Sequence, residues 1–157
     1  MTAKLVEGAP APAFDLPRDG GGMVSLASLK GKKVVLYFYP KDDTPGCTTE
    51  AIDFTAMKAK FKAAGAEVIG VSPDSVASHE KFCKKHELDI ILLADESKEM
   101  LEAYDVWKEK SMYGKTYMGV ERTTVLIDGA GKIARIWPKV KVAGHAEEVL
   151  KAAQELK

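Results

Sequence analysis

VVLYFYPKDDTPGCTTEAIDF, Val34 to Phe54, changes character twice, and its reading governs the rest of the chain. Val34 to Tyr39 is apolar without alternation, the pattern of a strand covered on both faces. Pro40 ends that run, and Lys41 to Gly46 is charged and turn-forming. From Thr48 to Ala64 the apolar residues Ile52, Phe54, Met57 and Phe61 return at helical spacings, and Gly65 supplies a stop. The stretch predicts a buried strand, a loop and an amphipathic helix. It delivers one cysteine, Cys47, to the helix start.

The pattern repeats outward. Glu67 to Ser72 predicts a second strand, and Pro73, Asp74 and Ser75 open a helix through about His86. Ile90 to Leu93 predicts a third strand, followed by a short helix over Lys98 to Tyr104. Thr123 to Ile127, the turn Asp128 to Gly131, and Lys132 to Trp137 form a hairpin, and Ala146 to Leu156 a closing helix. Strands alternating with helices, then a hairpin and a last helix, imply an α/β fold with a mixed central sheet flanked by helices. This order resembles the thioredoxin-like architecture. In such sheets ligands sit beyond the carboxyl ends of strands, where Cys47 lies.

A chain of 157 residues fits a single domain, 1–157, with a core that needs no staple. Its 23 Lys plus Arg balance 23 Asp plus Glu, so neither a nucleic-acid nor an anionic-membrane partner is indicated. No apolar run approaches the length of a membrane span, and the first residues have no apolar leader core, so a cytoplasmic location is expected. Two cysteines, Cys47 and Cys83, are too few for a disulfide framework.

A helix N-terminus stabilises a thiolate through unpaired N–H groups and the positive end of the helix dipole. Cys47 would occupy that first turn, with Thr44 three residues before it and Glu50 three after. Pro45 and Gly46 shape the turn and leave amides open to approach. A buried cysteine that merely fills space reads equally well from these features.

Pro40, Thr44 and Cys47 reproduce the pattern P-x-x-x-T-x-x-C, and KDDTPGCTTEA, Lys41 to Ala51, resembles the peroxiredoxin Q or bacterioferritin comigratory protein branch of the peroxiredoxins. GAPAPAFDL, VSPDSVASHEKF and YGKTYMGVERTTVLID extend the resemblance along nearly the whole chain. It implies reduction of hydrogen peroxide and organic hydroperoxides, with Cys47 as peroxidatic cysteine, Thr44 orienting the peroxide, and Pro40 shielding the pocket. Arg122 matches the family's active-site arginine, and Glu50 the helix glutamate that orients it. No cofactor or metal is implied, thioredoxin or glutaredoxin is the expected reductant, and a monomer the expected state.

Many members of this branch place a resolving cysteine five residues after the first, where this chain has Ile52. Cys83, 36 positions after Cys47, remains, and some members resemble this arrangement. A resolving role implies an intramolecular disulfide and local unwinding around both cysteines, which are expected to start two different helices. A core role for Cys83 would leave a one-cysteine peroxidase resolved by an external thiol. A redox-sensing or chaperone-like binding module is the non-enzymatic alternative, and the absence of C-x-x-C argues against a disulfide reductase. His79, Cys83 and His86 share a helix face, but one straight helix rarely supplies three ligands to zinc. Lys41, Asp42 and Asp43 read as a solvated loop, His145 as a surface neighbour of a helix cap. Trp107, Tyr113, Tyr117 and Met118 read as core or lid, without a chemical role.

Overall fold

The computed structural model describes residues 5–156. The first four residues, where the reading of the amino terminus as free of a leader begins, and residue 157, the end of the expected domain, lie outside them. The element order is β1 (Asp15–Pro17), β2 (Met23–Ser25), a short 3₁₀ turn (Ala27–Leu29), β3 (Lys33–Phe38), α1 (Pro45–Ala56), α2 (Lys58–Ala63), β4 (Ala66–Ser72), α3 (Val76–His86), β5 (Ile91–Ala94), α4 (Glu99–Ala103), β6 (Trp107–Met112), β7 (Lys115–Val120), β8 (Thr123–Ile127), β9 (Ile133–Trp137) and α5 (His145–Glu155).

The central sheet runs β5-β4-β3-β8-β9. β4 lies parallel to β3 and β5 to β4, whereas β8 is antiparallel to both β3 and β9. Side chains alternate across a strand, so β3 sends Val34, Leu36 and Phe38 to one core and Val35, Tyr37 and Tyr39 to the other. Both cores are closed, the first by Met100, Leu101 and Tyr104, the second by Ala51, Phe54, Phe61, Val149 and Leu150. That double cover is why Val34 to Tyr39 shows no alternation.

The expected helix over 48–64 is two. It starts earlier, with Pro45 at its first position, and breaks at Met57, whose N–H is shared between the carbonyls of Asp53 and Phe54. The break lets Phe54 and Phe61, with centroids 5.8 Å apart, both bury against the sheet. α3 begins where expected, because the Ser75 hydroxyl accepts from the Ser78 amide at 3.1 Å. Ser75→Ala should therefore cost about 1 kcal/mol, read as a lower urea midpoint at unchanged slope. An unmoved midpoint would show that this cap contributes nothing.

Two hairpins, β1–β2 and β6–β7, have no counterpart in the sequence reading. β6 and β7 join through Tyr113 and Gly114, both at positive φ as a two-residue hairpin turn requires. Tyr113, 96% exposed, and the exposed Tyr117 and Met118 belong to this arm, so the segment read as core or lid is mostly solvent-facing.

Candidate active site

Register explains how distant residues meet beyond the carboxyl end of β3. Phe38 pairs with Thr123, so the next residue out on the antiparallel strand, Arg122, stands beside the loop that leaves β3. That loop passes the half-buried Pro40, takes a left-handed conformation at Asp43 (φ 58°), and enters α1 at Thr44. Pro45, Gly46 and Cys47 are then the first three helical residues, and the amides of Gly46 and Cys47 have no intrahelical carbonyl to meet.

Cys47 is buried, 1% exposed, and is a free thiol. Arg122 forks between two partners: Nη2 donates to Cys47 Sγ at 3.2 Å and Nη1 to Glu50 Oε1 at 2.6 Å. Cys47 and Glu50 lie one turn apart on one helix face, so a single planar guanidinium reaches both. Gly46 makes room for it, since a Cβ there would lie 3.3 Å from Nη2. Burial pushes the Glu50 carboxyl up to about 7, with Arg122 acting against that rise. Burial also works against the charge on Arg122, but Glu50 and Cys47 outweigh it and its pKa stays above the ordinary value. The Thr44 hydroxyl donates to the Lys41 carbonyl at 2.8 Å, which leaves its lone pairs free to accept. Burial lowers the pKa of Lys110 in β6, and the charge of Arg122 acts in the same direction.

Cys83 is a free, half-buried thiol one turn before the end of α3, not at a helix start as expected. Its sulfur donates to Asp19 Oδ2 at 3.6 Å, and burial, reinforced by Asp19, pushes its pKa up to about 12. Of the other residues on that helix face, His79 meets Asp42 and His86 meets Asp43, so the three polar groups diverge to three carboxylates. Ile52, in the position of the local trap, is exposed.

Two readings of charged residues need correction. Asp42 is not solvated: it is 7% exposed and accepts hydrogen bonds from Tyr39 at 2.6 Å and Ser78 at 2.8 Å. His145 is not on the surface: it opens α5 buried between Phe54 and Trp137, its Nε2 is 2.7 Å from the Thr124 hydroxyl, and burial pushes its pKa down to about 4. No local pattern signals either position, because Ser78 and His79 for Asp42, and Thr124 for His145, come from other strands and helices. A residue-by-residue reading places lone charges in water.

Residues 8–136 match the model of the AhpC/TSA family. The chain is 50% identical to Peroxiredoxin Bcp of Bacillus subtilis over 99% of its own length and 98% of that protein's. It is 49% identical to Peroxiredoxin Bcp of Xanthomonas campestris, over 97% and 96%. Among solved structures, that of the Xanthomonas campestris Bacterioferritin Comigratory Protein, described for its alkyl peroxide reduction activity in trapped intermediate and ligand complexes, superposes with a TM-score of 0.89 at 44% identity, covering 95% of this chain and 98% of that one. A cysteine held by an arginine at a helix start, on a mixed sheet with these relatives at near full length, leaves one assignment: the chain belongs to the AhpC/TSA family, among the peroxiredoxins of the Bcp or peroxiredoxin Q kind.

Proposed function

We propose that the chain, acting as one domain and as a monomer in the cytoplasm, reduces hydrogen peroxide and organic hydroperoxides through Cys47. The observation that carries this is the fork of Arg122 onto the Cys47 sulfur and Glu50. The Cys47 thiolate attacks one peroxide oxygen. The S–O bond forms as the O–O bond breaks, and the departing oxygen takes up a proton equal to the one the thiol released, leaving as water or alcohol. Negative charge grows on both oxygens during this step, so donors already aimed at them stabilise the transition state more than the bound peroxide. Arg122 and the Cys47 amide are those donors, and Thr44, its own proton engaged by Lys41, accepts from the peroxide O–H. Pro40 shields the sulfur from water, and Glu50 holds Arg122 in place. The alkyl peroxide activity described for the Xanthomonas campestris protein supports organic substrates here.

Cys83 then condenses with the Cys47 sulfenic acid, and a thioredoxin-type dithiol reduces the disulfide by thiol exchange, glutaredoxin being the other candidate. A disulfide requires Cα atoms within about 7 Å. Each sulfur is held by a different partner in the folded protein, and local unwinding of both segments would free the two to meet.

Intact mass and thiol counting after one equivalent of hydrogen peroxide, on wild type and Cys83→Ser, test this reading. Loss of both thiols with a mass lower by two hydrogens in wild type, and sulfenic acid or its over-oxidised products in the variant, are expected. Sulfenic acid in both, with Cys83 still free, would overturn the resolving role and leave a one-cysteine enzyme served by an external thiol. Cys47 still reduced in both would overturn the peroxidatic role.

A further inference from the structure

Two aspartates follow Pro40 closely, and both reach the helix that bears Cys83. Asp42 turns inward. Its carboxylate accepts from Tyr39, Ser78 and His79 Nδ1, the last at 2.7 Å, and its amide donates to Asp74 at 2.8 Å. His79 is fully buried, and its Nε2 donates to the Leu93 carbonyl at 2.8 Å. Acceptors at both ring nitrogens make the ring an imidazolium, so Asp42 and His79 form a buried, fully satisfied ion pair. Asp43 turns outward, to Lys85 at 2.7 Å and His86 at 2.9 Å, on an exposed face. Exposed pairs of that kind contribute little and open readily, whereas buried networks belong to the best protected part of a fold.

The buried pair stands five residues before Cys47 and four before Cys83. We propose that Asp42 and His79 are positioning residues for the disulfide step: they form a pivot that stays closed while the first turn of α1 and the last turn of α3 unwind. The inference rests on Cys83 being the resolving thiol. In that step the Cys83 sulfur attacks the sulfenic sulfur of Cys47. The S–S bond forms, the S–O bond breaks, and hydroxide leaves with the Cys83 thiol proton as water. The competing step is oxidation of the sulfenic acid to sulfinic acid by a second peroxide, which is itself reduced to water or alcohol. With β3 and β4 still paired, the path between the two sulfurs through the Tyr39–Val71 hydrogen bond is 8 plus 12, or 20, residues; through the pivot, 5 plus 4, it is nine. Closure probability falls roughly as the three-halves power of length, so the pivot raises the effective concentration of one sulfur at the other about threefold.

The test reacts reduced wild type, His79→Gln and Asp42→Asn with rising hydrogen peroxide and reads the products by quenched intact mass. Oxidation of Cys47 should keep its rate. Disulfide formation should slow about threefold in the variants, with a matching gain of sulfinic acid, whereas general loss of stability would ease the unwinding and shift the partition the other way. In oxidised wild type, hydrogen exchange should remain slow at Asp42 and His79 and become fast at Thr48 and from Cys83 to His86. Should His79→Gln fail to fold, Asp42→Asn, which keeps an acceptor oxygen, and the wild-type exchange pattern carry the comparison. Variants that form the disulfide at the wild-type rate overturn the pivot, as do variants that form it faster, which would make the pair a latch. A wild type that forms no disulfide overturns the reading of Cys83 and the pivot with it.

Discussion

Arg122→Lys is expected to lower the rate constant for the reaction of Cys47 with hydrogen peroxide by about a hundredfold, the scale on which removal of one aimed transition-state donor acts. Charge is conserved in this change, so the loss measures geometry. The guanidinium presents two parallel N–H edges, one at 3.2 Å from the sulfur and one at 2.6 Å from Glu50. An ammonium on a flexible stem is a single point and cannot serve both with fixed orientation. If it turns to Glu50, the sulfur and the attacked oxygens lose their cation; if it turns to the sulfur, the buried Glu50 is left without a partner. Stopped-flow fluorescence of the reduced protein, which carries Trp107 and Trp137, reads the step directly. A rate within about threefold of wild type would remove Arg122 from the oxidation step, since a lost donor is worth far more.

The largest effect on stability is expected from one methyl group in the centre of the sheet. Gly70 lies in β4 opposite Tyr37 of β3 and Leu92 of β5, and the Tyr37 ring leans across it. A Cβ on Gly70 would stand 2.7 Å from Tyr37 Cζ and 2.8 Å from both its hydroxyl oxygen and Leu92 Cδ2. None of these can retreat easily. Tyr37 is fully buried and stacks on Phe54 at 4.8 Å and Tyr39 at 5.5 Å, and Leu92 is buried in the same core. Gly70→Ala should therefore destabilise the protein by about 1–3 kcal/mol through overpacking. For a chain of this size that corresponds to a fall in Tm of roughly 2–4 °C per kcal/mol. Gly129→Ala is the control, because its Cβ would meet nothing nearer than 3.5 Å and its φ is not in the left-handed region. Equal midpoints for the two variants would mean that the core around Tyr37 yields without cost.

The Tyr37 region also stacks the aromatic layer under Cys47, so the two predictions probe different links of one chain of causes. Gly70 lets Tyr37 lie flat, Tyr37 and Phe54 carry α1, and α1 presents Cys47 to Arg122. Gly70→Ala should act first on stability, Arg122→Lys first on chemistry.

Much of this was legible beforehand where the physics is local. Val34 to Tyr39 declares a doubly covered strand by its composition, Ser75 declares a helix start by its hydroxyl, and Thr44, Pro45 and Cys47 declare a helix that opens on a thiol. The sequence by itself therefore determined the α/β order, the position of Cys47 beyond a strand end, and, through motif resemblance, the family. It could not determine what depends on register between segments far apart in the chain. The pairing of Phe38 with Thr123 is what sets Arg122 beside Cys47, and the parallel alignment of β4 with β3 is what brings α3 to the loop at Asp42. The hairpin β6–β7 escaped notice because both its faces are largely wet and no alternation marks it. Asp42 and His145 were misread for a related reason: a charged or titratable side chain looks solvated until the partner that makes its burial tolerable is supplied, and His79 and Thr124 supply it only once the chain has folded.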